Sequence, residues 1–114
     1  MKTRFNIQMM DEALAFMYKL DANAQVKVTS HLQRAKTIQD PEIFKKITNH
    51  IWEFRIRYYK SQIRFFAFWN PFEKSVVICT HGIYKKSQKT PKHEIEKAER
   101  IRSAFIKMKQ NEKK

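Results

Sequence analysis

The sequence predicts an α+β domain in which helices pack on a small antiparallel sheet, in the order β-α-α-β-β-β-α. Three observations carry that expectation. Apolar residues recur at helical spacing between residues 11 and 38 and again between 91 and 108, they alternate with period two between 51 and 83, and short turn signals separate the alternating stretches. With 114 residues, 42% of them hydrophobic and 13% aromatic, the chain has the length of one domain and enough apolar surface to offset the entropy of ordering it. A single domain over residues 1–110 is expected, with 111–114 as a frayed basic tail.

The first strand is read from Phe5, Ile7 and Met9, which alternate with polar neighbours. Asp11 opens a helix in which Leu14, Met17 and Tyr18 lie at helical spacing up to Leu20. Asp21 caps a second helix striped by Val28, Leu32, Ala35 and Ile38. Asp40-Pro41 stops it, because proline has no N–H and biases its predecessor out of the α region, and Glu42 to Ile47 is expected to add a short helical turn. From Ile51, Trp52, Phe54, Ile56 and Tyr58 fall on one strand face and Glu53, Arg55, Arg57 and Tyr59 on the other. Lys60-Ser61 is read as the turn into a strand from Gln62 to Trp69, where Ile63, Phe65 and Ala67 alternate with Arg64, Phe66 and Phe68. Asn70-Pro71-Phe72-Glu73 makes the next turn, and Ser75 to about Ile83 is apolar on both faces at its start, as a central strand is.

The only glycine, Gly82, is placed at the end of that strand, before a basic loop reaching Pro91. Thr90 as N-cap with Pro91 at the first helical position opens the last helix, whose apolar stripe is Ile95, Ala98, Ile101, Phe105 and Met108. Glu94 and Glu96 suit its positive N-terminal end. The helices are expected to cover one sheet face and leave the other partly open for the arginines.

Charge directs the functional reading. The chain carries 24 Lys and Arg against 11 Asp and Glu, a net +13, and residues 51–114 hold 16 basic and 6 acidic side chains, hence +10 of that surplus. Such a field selects a polyanionic partner without choosing among nucleic acid, acidic protein and anionic membrane. A single cysteine, Cys79, excludes an internal disulfide framework and a cysteine-based zinc site. His31, His50, His81 and His93 are too widely spaced to suggest a metal site, and no metal or cofactor is expected. No apolar run approaches the roughly 20 residues of a membrane span, and the start of the chain lacks the pattern of a signal peptide, so a cytoplasmic protein is expected.

Three constellations stand out. Arg55 and Arg57 share a strand face and a hairpin brings Arg64 beside them; three guanidiniums repel unless an anion or a carboxylate relieves them, and Glu53 is the nearby acid. A solvated face of snorkelling arginines fits the same pattern. Lys85, Lys86 and Lys89 lie beside a helix N-terminus, where a phosphate would meet ammoniums and free N–H groups together, although three lysines also make an ordinary soluble loop. Cys79 and His81, two apart on a strand, suggest a nucleophile and base on one face, with no third group to orient them; Cys79 equally suits a small buried hydrophobe, and His81 near the lysine loop suits proton transfer. Tyr59, Phe66, Phe68 and Tyr84 are the aromatic residues expected to be exposed for stacking on bases.

Ile51-Trp52-Glu53-Phe54-Arg55, then Ile63-Arg64-Phe65-Phe66-Ala67-Phe68, then His81-Gly82-Ile83-Tyr84-Lys85-Lys86-Ser87-Gln88-Lys89-Thr90-Pro91, with Glu94-Ile95 and Ala98, resemble the phage-derived branch of the HigB/RelE toxin family in order and spacing. The Gly-x-x-Lys-Lys-x-x-Lys-Thr-Pro run is the most specific part. The resemblance implies a RelE-like fold and a toxin of a type II toxin–antitoxin pair. It further implies a metal-independent endoribonuclease that cuts messenger RNA in the ribosomal A site, and a small helix-turn-helix, HigA-like antitoxin as partner. By position it implies Arg55 and Arg64 as a phosphate clamp, and Lys86 and Lys89 as catalytic lysines. Lys85, Tyr84 and His81 become RNA contacts, Arg57 is a phosphate contact by geometry, and Glu53 is a candidate acid or base. No Tyr or His follows the last helix, a departure from many relatives that leaves the proton-transfer residue open among Glu53, Tyr84, Lys86 and His81. A non-catalytic RNA- or ribosome-binding module is the alternative reading of the same surface.

Overall fold

A computed structural model describes residues 2–85 and 89–112. The elements are β1 (Asn6–Met9), α1 (Asp11–Lys19), α2 (Ala22–Thr37), β2 (Phe44–Lys46), β3 (Trp52–Tyr58), β4 (Ser61–Trp69), β5 (Val76–Lys85) and α3 (Lys92–Glu112). The described strands form one sheet in the order β1-β5-β4-β3-β2. The expected β3-β4-β5 meander is its antiparallel centre. β1 joins β5 in parallel, with Asn6 opposite Val76 and Met9 opposite Cys79, so the sheet is mostly rather than wholly antiparallel.

One expected element changes class. The short helical turn read into Glu42 to Ile47 is instead β2, antiparallel to β3, with Phe44 opposite Phe54 and Lys46 opposite Trp52. A segment this short has too little helical stability of its own, whereas the edge of β3 offers backbone partners and a seat for the Phe44 ring, stacked 4.3 Å from Phe54.

Helices lie on both sheet faces, and the face expected to be partly open is covered by α3 over one part and leaves Arg55 and Arg57 reaching solvent in another. On one side α1 and α2 pack through Ala13, Leu20, Ala24, Val28, Leu32 and Ala35 against Phe54, Ile56, Ile63, Phe65, Ala67, Val77 and Cys79. On the other side α3 brings Ala98, Ile95 and Phe105 onto Phe66, Phe68, Val76 and Ile78. Phe66 and Phe68, read as exposed stacking platforms, are therefore fully buried. Their alternation with Ile63, Phe65 and Ala67 describes a strand between two apolar layers, which reads in sequence much like a strand with a wet face.

The helical stripes shift accordingly. In α1 the buried side is Ala13 with the half-buried Phe16 and Met17, followed by the buried C-cap Leu20, while Leu14 and Tyr18 face outward. In α2 Asp21 accepts from the Ala24 N–H at 2.8 Å as the expected cap, but Ile38 lies beyond the helix and is exposed. α3 continues through Glu112, past the point where fraying was expected; residues 113–114 lie outside the described residues. Among the described residues, no helix is long and apolar enough to cross a membrane.

A β-bulge changes the geometry of β5. Phe66 pairs with His81 but Ala67 pairs with Cys79, so Thr80 is the extra residue. Cys79 therefore points to the α1–α2 core while His81 points to the α3 side, and the expected Cys79–His81 pairing on one face does not form. Gly82 lies within β5, three residues before the end at which it was expected. It meets the ring of Phe16, which a Cβ would approach to 2.3 Å, so the residue is small to admit α1.

Candidate functional site

The basic residues of β3, β4 and β5 are organised by one buried carboxylate. Glu53, in mid-β3 on the α3 side, is 1% exposed. Its Oε1 accepts from Arg64 Nη1 at 2.5 Å and lies 3.5 Å from Arg55 Nε, and its Oε2 accepts from the Thr90 hydroxyl at 2.8 Å. Register makes this possible: Arg55 is directly opposite Arg64, and Glu53 is two residues from Arg55 on the same face. Two guanidiniums facing each other across a ladder would repel, and the carboxylate relieves them.

Burial separates these residues by role. Arg64, expected in a phosphate clamp, is 0% exposed in this arrangement and grips Glu53. Burial lowers its pKa and Glu53 opposes the shift. Arg55 keeps part of its side chain in solvent, and Arg57 is exposed. Both line a cleft of about 300 Å³ together with Gln62 and Glu42, two residues that the alternation pattern did not single out. Glu42 is brought there by β2, the element misread from sequence.

Lys85 reaches this side because the Thr80 bulge rotates the end of β5 and sets it opposite Gln62. Its ammonium donates to the Lys89 carbonyl, tying the strand end to the chain entering α3. Burial, then the Arg64 and Arg55 charges, lower its pKa from 10.5, with Glu53 opposing. Lys89 is exposed. Lys86 lies outside the described residues. Thr90, expected as the N-cap of α3, donates its hydroxyl to Glu53, and the Glu94 and Ile95 N–H groups donate to the Pro91 carbonyl.

His81, expected as an RNA contact, packs inside the protein in this arrangement. It is buried, stacked 4.9 Å from Phe66, with Nδ1 2.8 Å from the Thr80 hydroxyl and Nε2 3.2 Å from Glu94 Oε1. Burial first, then Lys97, lower its pKa below 6.5, against the pull of Glu94 and Glu12. A histidine that binds protons less readily when folded favours the unfolded state as pH falls below 6.5. Thermal stability is expected to drop as pH is lowered from 7 through 6.5 and below, and the drop to be smaller in His81→Gln; scanning both proteins from pH 8 to 5 checks it, and equal slopes would remove His81 as the cause. Cys79 is fully buried and burial pushes its thiol pKa up, so it is a small core residue, not a nucleophile.

At the tip of the β3–β4 hairpin, Tyr58, Tyr59, Ser61, Tyr84 and Lys85 line an open pocket of about 490 Å³. Tyr84 is 50% exposed, and Tyr58 both packs against the core beneath α1 and α2 and lines the pocket. Among the described residues, no group of three or more His, Cys, Asp and Glu is placed to hold a metal ion.

Comparison with known proteins gives two findings. Residues 15–103 match the family model described as phage-derived protein Gp49-like. Among solved structures, the chain is similar to one in the archaeal RelE–RelB complex from Pyrococcus horikoshii OT3, with a TM-score of 0.49 and 9% identity, covering 76% of this chain and 99% of that one. No curated protein matches.

Proposed function

Because this chain belongs to the phage-derived Gp49-like family, a family of the RelE/HigB-like toxin type, we propose that it is a ribosome-dependent, metal-independent endoribonuclease that cuts messenger RNA in the A site. What supports the reading is the cationic cleft: Arg55 braced by a buried Glu53–Arg64 pair, with exposed Arg57 beside it and Lys85 paired opposite the cleft residue Gln62.

The chemistry asked of the cleft is modest in parts and demanding in placement. The 2′-hydroxyl of one nucleotide attacks the adjacent phosphorus, forming the O2′–P bond and breaking the P–O5′ bond, to leave a 2′,3′-cyclic phosphate and a 5′-hydroxyl. One group takes the 2′ proton and another supplies the 5′ oxygen with one. Arg55 and Arg57 hold the phosphate and stabilise the charge that builds on its equatorial oxygens. Lys86 and Lys89 are the lysines assigned to the leaving oxygen. Glu53, bonded by Arg64 and Thr90 and out of water, positions Arg55 and the chain entering α3 rather than moving protons. The partner that restrains the toxin is a small helix-turn-helix, HigA-like antitoxin, and the chain acts in the cytoplasm, where translation runs.

Expression without an antitoxin is expected to arrest growth and to leave ribosome-bound messenger with mapped 5′-hydroxyl ends. Arg57→Ala, at an exposed position, is expected to lower cleavage by about 10-fold or more with an unchanged Tm, and Arg55→Ala by about 10²-fold. Each also reduces the slope of log affinity for RNA against log salt by about one phosphate contact. If the wild type binds ribosomes without cutting messenger, the non-catalytic module is the correct reading.

A further inference from the structure

The tip of the β3–β4 hairpin carries a cost that the fold does not require. Tyr58 is opposite Ser61, so Tyr59 and Lys60 form a two-residue turn. Tyr59 has φ 55°, while Lys60 is not in the left-handed region. A positive φ is the conformation that favours glycine, and here an aromatic residue holds it. Tyr59 is also 78% exposed, so no core contact repays the strain. Ser75 also has a positive φ, 60°, but Tyr59 differs in displaying a large aromatic side chain to solvent at the rim of a pocket, which points to a role for that side chain.

The rings around Tyr59 are held in place. Tyr58 donates its hydroxyl to Asp21 Oδ1 at 3.0 Å and meets the Tyr59 ring edge-on at 4.6 Å. Tyr84 is braced from beneath by Phe16, centroids 5.6 Å apart, yet leaves half its surface in water. Between the rings lies the pocket of about 490 Å³, which Ser61 and Lys85 complete. Flat apolar walls with a few polar groups, beside a cationic cleft, match one chemistry: a base stacked on aromatic faces while its phosphate lies on arginine and lysine. Arg57 and Tyr58 are successive residues of β3 and so project to opposite faces of the sheet, and an RNA strand occupying both sites would pass around its end.

We propose that Tyr58, Tyr59 and Tyr84 form a nucleobase-binding pocket that seats one unpaired base of the RNA held in the arginine cleft. The proposal rests on the reading of that cleft as an RNA site and adds the group that chooses which nucleotide is presented to it.

The test is fluorescence anisotropy with a labelled single-stranded RNA hexamer and a set in which each base in turn is replaced by an abasic ribose, in 0.1 M salt. The wild type is expected to lose about 10-fold in affinity at one position. Tyr59→Ala and Tyr84→Ala bind the intact hexamer as weakly as that abasic one, with the salt slope unchanged, and Tyr59→Phe keeps the discrimination. Tyr59→Gly separates strain from function: its Tm rises by about 3 °C as the turn relaxes, while base discrimination is lost. A wild type indifferent to every abasic position, or alanine variants that keep the discrimination, overturns the pocket. Discrimination without any cleavage of ribosome-bound messenger leaves the pocket standing and overturns the nuclease reading. Cleavage without discrimination does the reverse and leaves the tyrosines to a protein partner.

Discussion

Replacing Glu53 with alanine is expected to destabilise the protein by about 3–5 kcal/mol, the usual cost of leaving one member of a buried ion pair without its partner. Against a total stability of about 5–15 kcal/mol this is a large fraction, and Tm should fall by roughly 10–15 °C. The size follows from burial: Arg64 is 0% exposed, its 2.5 Å bond to Glu53 is the shortest of the carboxylate's contacts, and no water can replace it without opening the sheet. Arg55 and Thr90 lose the same acceptor. Glu53→Gln keeps the shape and an amide oxygen, so it should cost less while loosening the guanidiniums. The decisive comparison is Glu53→Ala against Glu53→Ala with Arg64→Met. An apolar pair recovers much of the loss if the unpaired charge is its origin, and thermal or urea unfolding of the two measures it. A single variant that loses less than about 1 kcal/mol would show that Glu53 is not the keystone described above.

The second large effect is expected at Gly82. Alanine there directs its Cβ to within 2.3 Å of the Phe16 ring, itself held edge-on between Phe65 and Tyr84 at 5.4 and 5.6 Å. Moving that ring shifts α1 off the sheet, and such overpacking costs about 1–3 kcal/mol, more than the about 0.5–1 kcal/mol gained by removing glycine's backbone freedom from a strand. Gly82→Ala should therefore lower the midpoint of urea unfolding with little change in slope. In a Phe16→Ala background the same substitution should cost much less, because the space it needs is already empty. Equal costs in both backgrounds would mean that the contact with Phe16 is not what keeps the glycine.

The site and the fold were legible in sequence to different depths. The period-two runs from Trp52 to Tyr58 and from Ile63 to Trp69 identify strands outright, because alternation is a property of the backbone alone. The neighbouring positions of Arg55, Arg57 and Arg64 follow from the same period and a short turn. Their roles do not: Arg64 is buried and Arg57 exposed, and only the path of α3 across that face decides which. β2 was lost because three residues carry no period, and its existence depends on an edge provided elsewhere. The Thr80 bulge was invisible for a similar reason, since an extra residue shows only against its partner strand. It separates Cys79 from His81 and carries Lys85 to the arginine side.

What the sequence determined by itself is the set of elements in the central meander and the helices, the +13 charge with its concentration after Ile51, and the family that these residues belong to. Tertiary structure decided which charges are structural and which are available. The physical reason is that period and charge are local quantities, summed along the chain, whereas burial depends on what packs against a face. The Glu53 carboxylate acquires its role only when Arg64, 11 residues away, and Thr90, 37 residues away, are folded onto it.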